Sequence, residues 1–421
     1  MAITRIRLER PPLDRDSVER FGVSREEPRW LIDQRVAAAE RYLETPWPRT
    51  DVGEEWRRFP LKDVPYDAIA EDIPRPVPLA ETGYSVSRSG FVNLPIEMLW
   101  NAPEPTPKPF DLLRSLMEKT DGPVAQAAIR AYAEAAWTTG HFVRVPAGLD
   151  IPHPIEVITV PSVSRTIVLV ERGARATVVE RLIGGADEPQ LAMPILDVHL
   201  EDDAVLNYVQ IQEFAPSVWI LGSQQYRSAR ASRLESFNVF VGAHRAKVGI
   251  GSDIRGDGAV VHLNGLVAGG NDQKIDFNVF QDLFGSHSES ILLYLAALYD
   301  HAKAVTYGVI RVEPESRATS SYQECRNMLL SEHAGADPIP VLEILTNDVL
   351  RCGHGATAGA IDDADLFYVQ SRGLPRDEAE RLIVRGFFER VIEKVADADV
   401  RHEMLRALEP RIGSIGTLEA A

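Results

Sequence analysis

Apolar residues recur at three- and four-residue steps through residues 14–45, where Trp30, Leu31, Val36, Ala39, Tyr42 and Leu43 sit between polar positions. That spacing predicts an amphipathic helix. Pro46 and Pro48 end it, since proline cannot continue the hydrogen-bond ladder. The segment 60–110 is rich in proline (IPRPVPLA, NAPEPTPKP) and reads as irregular wrapping. Helical texture returns from Phe110 to Gly140, where AQAAIRAYAEAAW carries strong helix formers.

From about residue 145 the pattern changes to short runs of β-branched residues: Ile155 to Val160, Thr166 to Val170, Thr177 to Val179, Ile195 to Leu200, Val205 to Gln212 and Phe237 to Val241, continuing to Leu345. Small turns lie between them, among them RGARA at 172–176, EDDAV at 201–205, GDGAV at 256–260 and HAKAV at 301–305. Short strands without intervening helices exclude βαβ units and leave a sandwich, a barrel or a solenoid. Near-regular turn spacing with small residues at the corners favours the solenoid, in which each coil stacks on the next.

After Asp362 the period returns to helical. Asp363 is expected to cap a short helix through Phe367 and Tyr368, Gly373 to end it in a left-handed conformation, and Pro375 to open the next. There Ala379, Leu382, Ile383, Phe387, Val391 and Val395 form one apolar stripe. Gly386 inside that helix suggests close packing beside Phe387, and Arg401 to Leu408 reads as a last helix. Three regions follow: a helical and proline-rich region over 1–145, a β core over 146–362 and a helical region over 363–421.

Charge and cysteine content then narrow the chemistry. A formal charge of −17 argues against nucleic acid or an anionic membrane surface as the main partner. The start, MAITRIRLERPPLD, carries charges where a signal peptide needs an apolar run, and the most apolar stretch, Ile291 to Tyr299, is about half the length of a membrane helix, so a cytoplasmic, reducing location is expected. The two cysteines, Cys325 and Cys352, cannot hold a four-thiolate cluster unaided. There is no Walker A loop and no nucleophile elbow. Gly353 to Ala358 matches a dinucleotide fingerprint only formally, because the glycines precede Ile361-Asp362-Asp363 and another loop where the fingerprint needs a strand feeding a helix. His402-Glu403 lacks the second histidine of a zinc-protease helix and reads as surface. In an extended strand Cys352 and His354 point the same way, within reach of one metal or of each other. The same C-x-H run also fits a small buried cysteine beside a hydrogen-bonded histidine.

Several longer runs carry more. S-Y-Q-x-x-R-N-x-L-L-S (321–331), P-x-L-E-I (340–344), C-x-H-G-A-T-x-G (352–359), L-F-Y-x-x-S-R-G (366–373) and A-x-x-L-I-x-x-G-F (379–387) together resemble the SufD branch of the SufB/SufD family, scaffold proteins of the SUF iron–sulfur cluster assembly machinery. At the amino end, EPRWLIDQR, P-W-P and the E-E-W-R of 54–57 are similar to the family's helical region. The resemblance implies a right-handed parallel β-helix flanked by helices, and a non-catalytic subunit that pairs with its paralogue SufB while the ATPase SufC hydrolyses ATP. It implies that His354, with Cys352 beside it, lies at the SufB interface where a transient cluster forms, shared with SufB rather than intrinsic to this chain. Cys325 is a further candidate, although Arg326 and Asn327 after it are of the SufD type. The stripe of Ala379, Leu382, Ile383, Phe387 and Val391 is the expected SufC-docking face. Whether reduced flavin joins the complex, and whether the chain homodimerises alone, are left open. A SufB-like homodimeric sulfur acceptor is disfavoured because Gly353 stands where SufB has a glutamate. A β-helix carbohydrate enzyme would need a row such as Asp272, Asp276 and Asp282, which read as solvated loop and strand residues. His287, His301 and His333 match nothing and are expected on the surface.

Overall fold

The structure, a computed structural model, describes residues 9–69, 85–86, 91–96, 110–118 and 126–413. Two helices, α1 (Arg15–Ser24) and α2 (Arg29–Glu44), replace the single helix expected over 14–45. The apolar spacing runs on across a break at which Glu26 takes a φ of 56° and Pro28 becomes the N-cap of α2. Asp14 caps α1, its carboxylate accepting the Ser17 N–H at 2.8 Å. Much of the proline-rich segment 60–110 lies outside the described residues; within it are a 3-10 turn at Leu61–Asp63 and strands β1 (Ser85–Val86) and β2 (Val92–Pro95). The next helical stretch forms α3 (Phe110–Glu118) and α4 (Ala127–Ala136), and β3 (Thr139–Val145) begins earlier than the pattern suggested.

The chain then coils through β4 (Ile155–Thr159), β5 (Val163–Val170), β6 (Arg175–Gly184), β7 (Gln190–Leu200), β8 (Val205–Phe214), β9 (Val218–Ser228), β10 (Arg233–Phe240) and β11 (Arg245–Ile254). It continues through β12 (Val260–Gly269), β13 (Lys274–Leu283), β14 (Glu289–Leu298), β15 (Lys303–Val312), β16 (Thr319–Leu329), β17 (Gly335–Ile344) and β18 (Val349–Gly359). Odd-numbered strands form one sheet and even-numbered strands from β4 the other; antiparallel β2 and β1 extend the odd sheet beyond β3. Arg175 pairs with Val205, Val205 with Arg233 and Arg233 with Val260, so a coil here takes 27 to 30 residues. The result is a parallel β-solenoid of about eight turns, as the turn spacing predicted.

The small turns are the corners. Gly173, Asp203, Gly258 and His287 adopt positive φ. Each is followed by a small residue (Ala174, Ala204, Ala259, Ser288) that is at most 1% exposed. Corners also bond to each other along the axis: the Gly173 N–H donates to Asp202 O, and the Asp203 N–H to Arg230 O, both at 2.9 Å.

Three apolar layers result. Inside the coils, Phe240, Phe277 and Tyr294 stack edge to face with centroids 4.9 and 5.1 Å apart. The amino-terminal helices cover the outer face of the odd sheet, with Leu31, Leu113 and Ile129 against Ile167, Met193 and Leu221. The outer face of the even sheet is covered by α6 (Arg376–Ile392) and α7 (Ala398–Gly413), which follow α5 (Asp363–Gln370).

Three local expectations are corrected at this end. Asp362 caps α5, accepting from the Ala364 N–H at 2.8 Å, and Asp363 is the first helical residue. On α6 the buried face is Ala379, Val384, Phe388, Val391 and Ile392, while Leu382 is exposed. The helix is thus rotated by about one residue, roughly 100°, from the stripe read in the sequence, because the sheet beneath it selects Phe388 over Phe387. Burying Phe388 is worth about 1.5–3 kcal/mol. Gly386 is exposed, and a Cβ there would meet nothing within 4 Å, so close packing does not explain it.

On the same sheet face His262 bridges two coils, with Nδ1 2.6 Å from Glu235 and Nε2 2.8 Å from Glu289. Burial alone would lower its pKa, but the hydrogen bonds and charges of the two glutamates outweigh it and raise it above 6.5. A pKa raised in the folded state stabilises below the unfolded value, and the contribution fades as pH rises through the folded one. The urea midpoint is therefore expected to fall as pH rises from the ordinary histidine range through the raised folded-state pKa, and His262→Gln should flatten that part of the profile. An unchanged slope in the variant would refute the assignment.

Candidate functional site at the open end of the solenoid

The two ends of the solenoid differ. At the amino end the odd sheet is continued by β2, and helices pack over it. At the carboxyl end β17 and β18 are the last strands of their sheets, each paired on one side only. The Gly335 N–H donates to Ala302 O and the Leu345 N–H to Val312 O, so odd-numbered positions of β17 donate to β15. Even-numbered positions face the open edge, and two of them are Pro338 and Pro340, which have no N–H to offer. Proline-free β18 keeps all its donors. Ile344, Leu345 and Leu350 form an exposed apolar rim around the turn between these strands.

Strand register decides what the end presents. Ser321, Gln323 and Cys325 of β16 pair with Cys352, His354 and Ala356 of β18. The three β16 residues are at most 2% exposed and point into the solenoid. Cys352 and His354 therefore share the inward direction on the last coil, side by side as the sequence predicted, with no coil beyond them among the described residues. Cys352 is half-buried and its Sγ lies 3.2 Å from the Ser321 hydroxyl, which donates to it; His354 is exposed. The intervening Gly353 and Gly355 lie on the outward side against the ring of Tyr322, where a Cβ on Gly355 would come within 3.2 Å of the hydroxyl. Arg351 stacks over the same ring at 4.9 Å. Tyr322 lies inside the 321–331 motif, but only the register shows that it supports this strand.

Cys325 is not brought to the mouth. It lies one coil below, within the solenoid core, and burial pushes its thiol up to about 12. A metal or sulfur acceptor site needs thiolate, which that environment withholds. Among the described residues no group of three or more His, Cys, Asp or Glu side chains is arranged to hold a metal ion. Any cluster at Cys352 and His354 would need ligands from beyond the described residues.

The other sequence candidates separate. Ala379 and Val391 of the expected docking stripe are buried against this chain's own sheet, and Ile383 and Phe387 are partly buried. Leu382 is exposed, as are Phe367 and Tyr368 of α5. The aspartate row is also corrected: Asp272 is exposed at a corner, but Asp276 and Asp282 are buried at 0% and 6% exposure. Asp276 accepts from Lys247 Nζ at 2.6 Å, a residue one coil earlier that no local pattern connects with it. The Gly353–Ala358 run lies within β18 rather than at a strand-to-helix turn. His287, His301 and His333 are exposed corner residues, as expected, and the last two stack at 4.7 Å. No helix among the described residues is long and apolar enough to cross a membrane.

The fold is thus a parallel solenoid with helices over the outer faces of both sheets and a thiol and an imidazole on the inward face of its last strand. The family model described as "SUF system FeS cluster assembly, SufBD core domain" matches residues 157–387, more than half of the chain. The chain belongs to the SufBD family of SUF iron–sulfur cluster assembly proteins. It is 23% identical to the iron–sulfur cluster assembly protein SufD of Bacillus subtilis over 95% of this chain and 98% of that protein. It is 26% identical to an iron–sulfur cluster assembly SufBD family protein of Mycobacterium tuberculosis over 69% of this chain and 75% of the relative. A Mycobacterium leprae SufBD family protein is 30% identical over 50% of this chain and 55% of that one.

Proposed function

We propose that this chain is a SufD-like, non-catalytic scaffold subunit that joins a SufB partner through its open carboxyl-terminal coil and carries the ATPase SufC on its helical end. The observation that carries the reading is the placement of Cys352 and His354 on the inward face of the terminal strand, where they would be covered by an added coil or strand of another chain. Main-chain groups on the free edge of β18 give affinity, the Ile344, Leu345 and Leu350 rim gives apolar burial, and the two side chains meet the partner's ligands. The transient iron–sulfur cluster is the cargo at that junction. With only one accessible thiol here, further thiolate ligands come from SufB. The exposed Leu382, Phe367 and Tyr368, rather than the buried part of the α6 stripe, are the surface assigned to SufC.

The test is co-expression with SufB and SufC and sizing of the complex. Wild type should elute as a complex with both, and His354→Ala should assemble the same complex yet lose most cluster formation, read by the visible absorption of the cluster. Normal cluster formation by that variant sinks the site assignment. Removing residues 363–421 should abolish SufC retention in a pull-down while β18 still captures SufB; retention of SufC would overturn the docking assignment.

A further inference from the structure

At the opposite end of the molecule, where α2 and α4 meet the outer face of the odd sheet, charge is unbalanced. Glu27 pairs with Arg35 at 2.7 Å and Arg25 at 3.3 Å, and Glu134 with Arg130 at 2.9 Å and Arg41 at 2.7 Å. Asp197 pairs with Arg130, with Arg165 at 3.1 Å and with Arg227 at 3.6 Å. Three carboxylates thus serve six guanidinium groups in a chain whose net charge is −17. The carboxylates and Arg35, Arg130 and Arg165 are all buried. Burial alone would raise the Asp197 pKa, but Arg130 and Arg165 hold it well below the usual carboxylate range, so it contributes a full negative charge. The three buried carboxylates match the three buried arginines one for one, and of the surplus guanidinium groups Arg25 and Arg227 are partly buried and Arg41 is exposed.

A cavity of about 520 Å³ opens beside this cluster, lined by Arg165, Arg41, Glu134, Trp30, Leu31 and Met117 among others. That size is typical of a small-molecule site. Arg165 is 4% exposed, and its Nε has no hydrogen-bond partner among the described residues. The acidic groups on the wall are already engaged: Glu134 by its two arginines, and Asp33 by Arg29 at 2.8 Å.

We propose that this cavity binds a small anionic molecule, a phosphate or carboxylate group on an apolar body, with Arg165 as its buried anchor and Arg41 beside it. A guanidinium offers paired N–H donors suited to either oxyanion. The apolar wall of Trp30, Leu31 and Met117 takes the rest of the ligand, and the bound anion gives Arg165 Nε the acceptor it lacks. This site lies on the helix-covered sheet, away from the terminal coil, and does not depend on the scaffold reading.

Calorimetric titration of the full chain with inorganic phosphate, ADP and citrate tests the site, using wild type, Arg165→Gln and Ala37→Glu. Ala37 is an exposed α2 residue on the cavity wall, so its variant adds negative charge without disturbing the core. At least one probe should saturate wild type, and both variants should bind it about tenfold more weakly or worse, with the thermal midpoint of Ala37→Glu unchanged. Binding of phosphate or ADP without citrate assigns a phosphate group; the reverse assigns a carboxylate. No saturable binding of any probe to wild type up to about 10 mM, or unchanged affinity in Ala37→Glu, overturns the proposal even if Arg165→Gln fails to fold.

Discussion

Lys247→Ala is expected to destabilise the protein by about 3–5 kcal/mol, read as a fall in the urea midpoint with an unchanged slope. Lys247 and Asp276 are both 0% exposed on the outer face of the odd sheet. The ammonium reaches Asp276 Oδ1 at 2.6 Å, Asn278 Oδ1 at 2.9 Å and the carbonyl of Glu55, and lies 5.0 Å from the Trp56 ring centroid. It therefore ties the 54–57 segment to the solenoid. Burial pushes the Asp276 pKa up and the Lys247 pKa down, each opposed by the other's charge. Deleting the lysine leaves a carboxylate in an apolar setting with its chief counter-charge gone. The double variant Lys247→Met/Asp276→Leu removes both charges and should recover much of the loss. A double variant as unstable as the single one would show that the packing of Lys247, not its charge, is what matters. Trp56 fluorescence should shift to the red in the single variant as the segment loosens.

Glu180→Ala should cost about 4 kcal/mol or more, since it leaves several buried donors without an acceptor. Glu180 is 2% exposed inside the coils. One carboxylate oxygen accepts from Thr159 and Thr166, both at 2.8 Å, and the other from Tyr208 and from Gln210 at 2.7 Å. The network continues as Gln224 donates to Gln210 at 2.9 Å and to Asn238 at 2.8 Å, so three successive coils are linked through their interior. Glu180→Gln keeps the shape and one acceptor oxygen and should lose much less. Equal losses in the two variants, measured by thermal unfolding, would locate the effect in packing rather than in acceptors.

The parts of this architecture legible in the sequence are those set by local rules. Corner runs such as EDDAV and GDGAV mark the coils because a left-handed residue and a small buried one are needed at each bend. The shared direction of Cys352 and His354 follows from the two-residue period of any strand. What was not legible depends on stacking between coils. Asp276 looked solvated because its counter-charge, Lys247, stands one coil away. Cys325 looked available because its burial comes from the coils above and below. The break at Glu26 escaped because apolar spacing persists across it, and Phe388 displaced Phe387 because the sheet, not the helix, chooses the contact face. The arginine cluster did leave a trace: Arg130 and Glu134 interrupt an otherwise apolar AAIRAYAEAA run, the mark of charges paired in a buried place.

The prolines at 338 and 340 bear on how growth of the structure stops. A stack of coils with identical edges at its end is a template on which another copy can continue, and another on that, into a fibre. Here one of the two terminal edges has lost alternate donors, so a strand added to β17 would find gaps where its carbonyls need partners. Only β18 remains competent for strand addition, which biases the end toward a single one-sided junction instead of an extending rod. Chain termination is thus written into the last coil itself. Pro338→Val/Pro340→Val would restore those donors, and with them the route to end-to-end polymers.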